Sequence, residues 1–401
     1  MKRKSSRKSQ NSRKFVFLYI TILFISFFFL NLAAPAISIT KVDFLGEANL
    51  LTGLQFKNTA LGGLSGITYD AKKDIYYAVS DDRSLNNPAR LYHLKINLAQ
   101  DRLRKNGVTP IAVTTLLDSR GKPFPEGSID PEGIAFTENG TVFVSSEGDV
   151  LTSIEPAIKE FSLSSGRELR TLPIPDKLLL DSSGKRGIHN NLALESLTIT
   201  PNQKYLYTAV ENALVQDGQV ATPNTKNPCR IIQYNLLTNQ PEKEFLYFTE
   251  PVGKFFSLIN KFYSGIADLV ALDNQGHFLS LERSFTGWGF SIAVFEVSLE
   301  GADNIQNIDS LLAVDINKIK PVKKKLLLDL NSLNVGLDNI EGLTLGSPLD
   351  DGRRSLILVS DNNFIFPQRT QVIALRLKTE RPLLSRLRRL VGILKLSLGV
   401  G

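Results

Sequence analysis

The chain has 401 residues, 42% of them hydrophobic and 22% charged, a balance that excludes wholesale disorder and allows a large buried core. Its formal net charge of +7 is not a nucleic-acid signal: residues 1–40 hold seven Lys and Arg and no acid, and the remaining 40 basic residues meet 40 acidic ones.

The N-terminus carries Lys2, Arg3, Lys4, Arg7, Lys8, Arg13 and Lys14, then a largely apolar stretch from Phe15 to Leu30, then Ala34-Pro35-Ala36. A basic segment, an apolar segment and a small-residue site are the three parts of an export signal. Residues 1–36 read either as a signal peptide cleaved after Ala36 or as an uncleaved N-terminal anchor, since the stretch is just long enough to span a bilayer. Either way the rest of the chain is expected to be exported, periplasmic or secreted. Cys229 is the single cysteine, so no intrachain disulfide can form. His93, His189 and His277 are far apart and exclude a structural zinc site.

Five segments repeat one pattern: GGLSGITYDAKKDIYYAVSDDRS (62–84), DPEGIAFTENGTVFVSSEGD (130–149), ALESLTITPNQKYLYTAVENAL (193–214), IADLVALDNQGHFLSLERSF (266–285) and NIEGLTLGSPLDDGRRSLILVSDNNF (339–364). Each reads as a β-hairpin with a Gly, Asn, Asp or Pro turn. The leading polar positions are Ser65, Glu132, Glu195, Asp268 and Glu341. Pairing about each turn predicts Glu132 opposite Glu147, Asp268 opposite Glu282, Glu195 opposite Glu211, Ser65 opposite Asp81 and Glu341 opposite Asp361. Further β-type runs follow each hairpin, at 90–98 and 110–117, 157–164 and 168–173, 229–236 and 244–249, and 290–298 and 325–330, with only Gln371 to Leu377 after the fifth. Four strands per unit, repeated, predict an all-β fold, a β-propeller over residues 41–378. Val42–Leu45 is expected to supply the missing last strand and close the ring. Five blades is the direct count, with six or seven if one of the insertions (174–192, 212–228, 250–265, 299–321) hides a degenerate blade; a β-sandwich is the alternative architecture.

In a propeller a repeated position returns at the same height around the channel. Asp81, Glu132, Glu147, Glu195, Glu211, Asp268, Glu282, Glu341 and Asp361 are then expected to gather near one end. Such a ring needs compensation from a cation, from Arg83 and Arg283, from backbone N–H groups or by protonation. Oxygen ligands with Asn212, Asn362 and Asn363 nearby favour a hard cation, calcium before magnesium. The competing reading is that each acid accepts N–H bonds at its own hairpin end and latches neighbouring blades.

The motifs "GGLSGITYD…VSDDRS", "DPEGIAF…SSEGD", "ALESLT…AVEN", "LERSF" and "NIEGLTL…VSDNNF" resemble the phytase-like family, described as esterase-like activity of phytase, over about residues 45–378. The resemblance implies a propeller distantly related to β-propeller phytases, which hold calcium on channel carboxylates and hydrolyse phosphate esters. Arg83, Glu132, Glu147, Glu195, Glu211, Glu282, Arg283, Glu341 and Asp361 lie in the matching motifs. The Lys/Arg cluster that a phytase needs for its substrate phosphates is not evident.

Three functions are consistent with these residues. The first is a calcium-dependent phosphoric-ester hydrolase, with Asp81, Glu147, Glu195, Glu211, Asp268, Glu282 and Asp361 as metal ligands, Glu132 or Glu341 moving the proton, and Arg83 and Arg283 binding phosphate oxygens. The second is a carboxylic-ester or lactone hydrolase on the same cation site. There Ser65 lacks the G-x-S-x-G context of a nucleophile, and His189 is the one histidine in an insertion loop. The third is an exported binding platform without catalysis. The partner of the enzyme readings is a small-molecule ester, phosphorylated in the first. The tail 379–401 places Arg381, Arg386, Arg388, Arg389 and Lys395 among leucines spaced at three and four, which predicts a basic amphipathic helix for the propeller's outer face or an anionic membrane. Trp288 is a candidate ligand-stacking residue beside the channel.

Overall fold

A computed structural model describes residues 38–380 apart from 182, 223, 252–262 and 286–288. The segment 1–37, the tail 381–401 and Trp288 lie outside the described residues.

The chain begins with β1 (Ser38–Leu50) and a small hairpin, β2 (Gln55–Phe56) with β3 (Thr59–Ala60). Blade 1 follows as β4 (Leu64–Asp70), β5 (Ile75–Ser80), β6 (Arg90–Ile96) and β7 (Val108–Thr115). Blade 2 is β8 (Pro131–Phe136), β9 (Thr141–Ser146), β10 (Ala157–Ser162) and β11 (Glu168–Leu172). Blade 3 is β12 (Thr198–Ile199), β13 (Tyr205–Ala209), β14 (Pro228–Asn235) and β15 (Gln240–Phe248). Blade 4 is β16 (Tyr263–Ala271), β17 (His277–Phe285), β18 (Phe290–Ser298) and β19 (Lys323–Asp329). Blade 5 is β20 (Asn339–Pro348), β21 (Arg354–Asp361) and β22 (Thr370–Glu380), and β1 pairs with β22 as its fourth strand. There are five four-stranded blades, no sixth among the described residues, and the closing strand is longer than the expected Val42–Leu45.

The first strand of each blade is innermost, and β4, β8, β12, β16 and β20 touch in sequence around the axis. Apolar residues alternate along the strands and meet those of the next blade. Leu279, Leu281, Leu343 and Leu356 fill the boundary of blades 4 and 5, for example, and Tyr76, Leu94, Ile357 and Val359 that of blades 5 and 1. Each such fully buried side chain contributes about 1.5–3 kcal/mol, and blade boundaries take the place of a single central core. The insertions are latched separately. Arg230, fully buried, donates to Asp217 at 2.6 Å and to Glu244 at 2.7 Å, and Lys177 donates to the carbonyl of Gln306 at 2.6 Å. Leu311 N–H donates to Asp217 at 2.8 Å, which ties the 299–321 insertion to blade 3 and accounts for the long repeat.

The hairpin register departs from the expected one. In each blade the first strand carries a bulge at or beside the leading position: between Leu64 and Gly66, Pro131 and Ile134, Ile266 and Asp268, and Ile340 and Gly342. Blade 3 shows the same slip between its Leu194–Val210 bridge and the Thr198–Tyr207 pair. An extra residue on one strand shifts every pair beyond it, so Glu147 lies opposite Asp130 instead of Glu132, Glu211 opposite Ala193, Asp81 opposite Gly63 and Asp361 opposite Asn339.

In blade 4 this register also corrects the phase of the repeat. Gly265 pairs with Arg283, so Arg283 stands where the other blades have Asp81, Glu147, Glu211 and Asp361. Ala267 stands where they have Ser65, Glu132, Glu195 and Glu341, and Asp268 falls one step deeper, level with Gly66, Gly133, Ser196 and Gly342. At that level the inner strands nearly touch. A Cβ on Gly133 would lie 2.6 Å from Leu197 N and 2.7 Å from Glu195 O, and one on Gly66 2.5 Å from Glu132 O. Beyond this constriction the channel opens on the hairpin-turn side into a funnel of about 410 Å³, with Ile67, Ile134, Leu197, Leu269 and Leu343 in its wall and Lys72, Glu138, Gln203 and Arg354 among its other lining residues. Among the described residues no helix is long and apolar enough to cross a membrane.

The constriction makes a direct test of the packing. Gly133→Ala forces a methyl against the backbone of blade 3 and is expected to cost about 1–3 kcal/mol. It should lower the urea midpoint without changing the denaturant slope; an unchanged midpoint would contradict the close approach.

Candidate functional site

On the side of the constriction away from the funnel, where each first strand begins and each second strand ends, the repeat stacks its polar side chains in two tiers. The outer tier is Asp81, Glu147, Glu211, Arg283 and Asp361; the inner tier, on the bulges, is Ser65, Glu132, Glu195, Ala267 and Glu341. A bulged residue has no partner across the hairpin, which frees its side chain to turn into the channel. Asp130, at the start of β8, joins them.

Asp81 is half-buried and the other carboxylates are buried: Glu147 is 0% exposed, Glu211 1%, Asp361 2%, Asp130 4%, Glu132 5%, and Glu195 and Glu341 6%. Among the described residues two arginines face eight carboxyl groups. Arg283 donates to Glu211 at 2.9 Å, to Asn339 at 3.0 Å and to Glu341, which also accepts from Asn339 at 2.8 Å. Arg83 donates to Asp130 at 2.7 Å and to Asn191. Arg83 and Ser84 both have positive φ, 45° and 56°, and so do Asn363 (45°) and Phe364 (54°) at the equivalent place in blade 5. Such conformations cost about 1–3 kcal/mol each and are kept where a side chain must be aimed; here they turn Arg83 across the mouth onto blade 2.

Two clusters of three carboxylates straddle blade boundaries. Asp81 of blade 1 meets Asp130 and Glu132 of blade 2, and Glu147 of blade 2 meets Glu195 and Glu211 of blade 3, with ligand atoms within 4.8 Å of one another in each cluster. At that spacing two ionised carboxylates repel by roughly 3 kcal/mol at an effective dielectric near 20. Burial, and then the charge of neighbouring carboxylates, holds Asp81, Glu132, Glu195 and Asp361 well above the ordinary carboxylate range. The same causes push Glu147 up to about 8 and Asp130 to about 6, with Arg83 opposing both. Burial also raises Glu211 and Glu341, but Arg283 opposes it. The Oε1 of Glu147 accepts from Ala193 N–H at 2.6 Å, while its buried Oε2 has no hydrogen-bond partner. An all-oxygen donor set, an excess of buried negative charge and an orphaned carboxylate oxygen fit a hard metal ion.

Several expected residues stand elsewhere. Glu282 lies outside the rosette because the one-residue phase shift turns it between the blades, where it accepts from Tyr247 at 2.6 Å and Lys324 at 2.5 Å. Asp268 is deeper, at the constriction, and accepts from the N–H groups of Leu269 and Leu343, both at 2.8 Å; burial raises its pKa well above the usual range against those donors. Neither is in a three-carboxylate cluster. Asn212 donates to the Ser264 carbonyl, Asn362 accepts from Gly63 and Phe364 N–H groups, and Asn363 N–H donates to Asp361, so these asparagines fasten loops. Ser65 lines the ring and donates to Glu132 O at 3.0 Å. His189 sits in the loop that delivers Asn191 to Arg83, with its Nε2 buried and unpaired. Asp130 was not singled out from the sequence, although it stands two residues before Glu132 in the second repeat.

The family profile described as phytase-like, "esterase-like activity of phytase", matches residues 59–364. No curated protein matches the chain. Among solved structures the chain is similar to an endo-1,4-beta-xylanase from Bacteroides thetaiotaomicron (13% identity, TM-score 0.40, covering 78% of this chain and 90% of that one). It is also similar to an endo-arabinase from the same organism (12%, 0.35, 84% and 96%). A glucose dehydrogenase matches at 14%, 0.34, 86% and 99%.

The raised carboxyls predict a pH dependence of stability for the chelator-treated protein. The native state keeps protons on Glu147 and Asp130 that the unfolded chain releases near 4.5 and 3.8, so it binds more protons than the unfolded state. The stabilisation is full below those values and is lost as pH rises through about 6 and then about 8. Calorimetry should show a falling Tm from pH 5 to pH 8, and Glu147→Gln should flatten the upper part. A Tm that does not move over this range would mean that protein groups already neutralise the rosette.

Proposed function

The chain belongs to the phytase-like family, and from that premise we propose that the rosette is a calcium-dependent site for hydrolysis of phosphate esters. The observation that carries the reading is the pair of three-carboxylate clusters at one channel mouth, buried except for half-buried Asp81, with two arginines among the described residues to offset them. Asp81, Asp130 and Glu132 would hold one ion and Glu147, Glu195 and Glu211 a second. Bound there, calcium supplies positive charge to a substrate phosphate and lowers the pKa of a water molecule.

The protein's own groups divide the remaining work. Arg83, with a side chain 29% exposed, is the cation at the entrance, and exchanging Asn191 for a phosphate oxygen would keep its contact with Asp130. Arg283 is engaged by Glu211, Glu341 and Asn339, so its role shifts from substrate binding to bracing those carboxylates across blades 3 and 5. Glu341, hydrogen-bonded to Arg283, is the proton acceptor of the reading, and Glu132 moves from proton transfer to ion binding. A second reading, a binding platform with a structural ion, is favoured by the depth of Glu147 and Glu211.

Purified protein should hydrolyse p-nitrophenyl phosphate in calcium, lose that activity in chelator and regain it on adding calcium back. Arg83→Ala should lower kcat/KM by about tenfold to a hundredfold, the worth of a charge-assisted hydrogen bond. Glu282→Gln should lower Tm with little effect on turnover. Calcium-dependent stabilisation without turnover of phosphate, carboxylic-ester or lactone substrates would decide for the platform, and turnover indifferent to chelator would remove the metal.

A further inference from the structure

We propose that the funnel face of the propeller is its membrane-facing side, so that the carboxylate rosette opens away from an anionic lipid surface. The proposal does not depend on the rosette's chemistry. It rests on where the two ends of the described chain leave the fold. The third strand of blade 5, β22, runs from the rosette end to the funnel end: Val372 pairs with Val359, next to the rosette, and Leu377 pairs with Arg354, which lines the funnel. The closing strand β1 runs the other way beside it. Its start lies at the funnel end, where Thr40 donates to the carbonyl of Lys378 at 3.2 Å and Asp43 pairs with Lys378 at 2.6 Å. Its far part lies at the rosette end, where Asn49 accepts from Arg369 at 2.9 Å. Ile39 and Thr379 are therefore neighbours on the funnel face.

What continues from those two points is alike in chemistry. Residues 1–30 end in the apolar stretch Phe15 to Leu30 after seven basic residues, and 381–401 carry Arg381, Arg386, Arg388, Arg389 and Lys395 among apolar residues with no acid. The propeller between them holds 35 basic and 40 acidic residues, a formal charge of −5, so the positive charge of the chain lies in its two ends. Eight residues, 31–38, separate Leu30 from Ile39, and fully extended they span about 28 Å. A bilayer that holds the apolar stretch as an anchor thus keeps the start of the basic tail within reach of its surface, where the tethered tail binds anionic lipid better than it would alone. Leu237, 90% exposed in the turn after β14, lies on the same face. The rosette is a strand's length away, about 40 Å for the 13 residues of β1. Its ligand would accordingly be taken from the aqueous side.

The test uses the full chain reconstituted with vesicles of phosphatidylcholine and phosphatidylglycerol that carry a headgroup energy-transfer acceptor. Cys229 is buried, so one introduced cysteine takes the donor dye. Asn139→Cys marks the funnel face, beside Glu138, and Leu151→Cys marks the rosette face, in the loop that follows β9. Transfer from position 139 should be several-fold stronger than from 151. Equal transfer, the reverse order, or no association with the vesicles would overturn the orientation. The combined variant Arg386→Glu, Arg388→Glu and Arg389→Glu should weaken that difference and its dependence on salt. If both persist unchanged in a variant that melts like the parent, the tail has no part in it.

Discussion

Five inner strands converge on one axis, and at three of the five positions where they meet the backbone leaves no room for a side chain. This crowding organises the rest of the molecule. Gly66, Gly133 and Gly342 let neighbouring strands approach to backbone contact, and Asp268 spans the same level by accepting N–H groups from strands of two blades. The constriction divides the channel into a funnel with an apolar wall and a charged rim on one side and a carboxylate rosette on the other. The bulges just above it supply the extra residue that directs Glu132, Glu195 and Glu341 into the channel.

Closure carries the same geometry outward. Because β1 completes blade 5 from the opposite end of the chain, the blade boundary that completes the ring is formed by strands far apart in sequence. The five apolar clusters lie between blades, so each blade is stable only in the company of its neighbours. A repeat architecture of this kind spreads its stability around the ring, and the charged rosette draws on all of it.

The fold was largely legible in the sequence because strand alternation and turn chemistry recur at every repeat. The outer strands match the runs read from composition to within a few residues, as at 290–298, and five blades follow from five repeats. The site was legible only in outline. Opposing Glu132 to Glu147 assumed an unbroken hairpin, and a bulge leaves no signature in a single sequence apart from a glycine such as Gly133. In blade 4 chemical likeness misled: Glu282 resembles the acids of the other blades, yet the backbone register gives that position to Arg283. Asp130 escaped notice because it belongs to no repeated column; Gly63, Ala193, Gly265 and Asn339 occupy the equivalent places.

The exception in blade 4 gives the rosette its direction. A ring of five identical acids would repel evenly, with no place favoured for a cation. Arg283 instead neutralises the side formed by blades 3 and 5 through Glu211 and Glu341. Ala267 removes an inner-tier charge there, so the uncompensated carboxylates concentrate in blades 1 to 3, where both clusters lie. Each cluster takes its members from two adjacent blades, so an ion held by either one would also fasten a blade boundary. Binding and folding then share one site: burial and mutual repulsion raise Glu147 and Asp130 without an ion, and an ion there would replace that repulsion by an attraction that holds the blades together. A structural and a catalytic ion would occupy the same carboxylates, and what would separate the two roles is access from the mouth, where Arg83 stands partly exposed on Asp130.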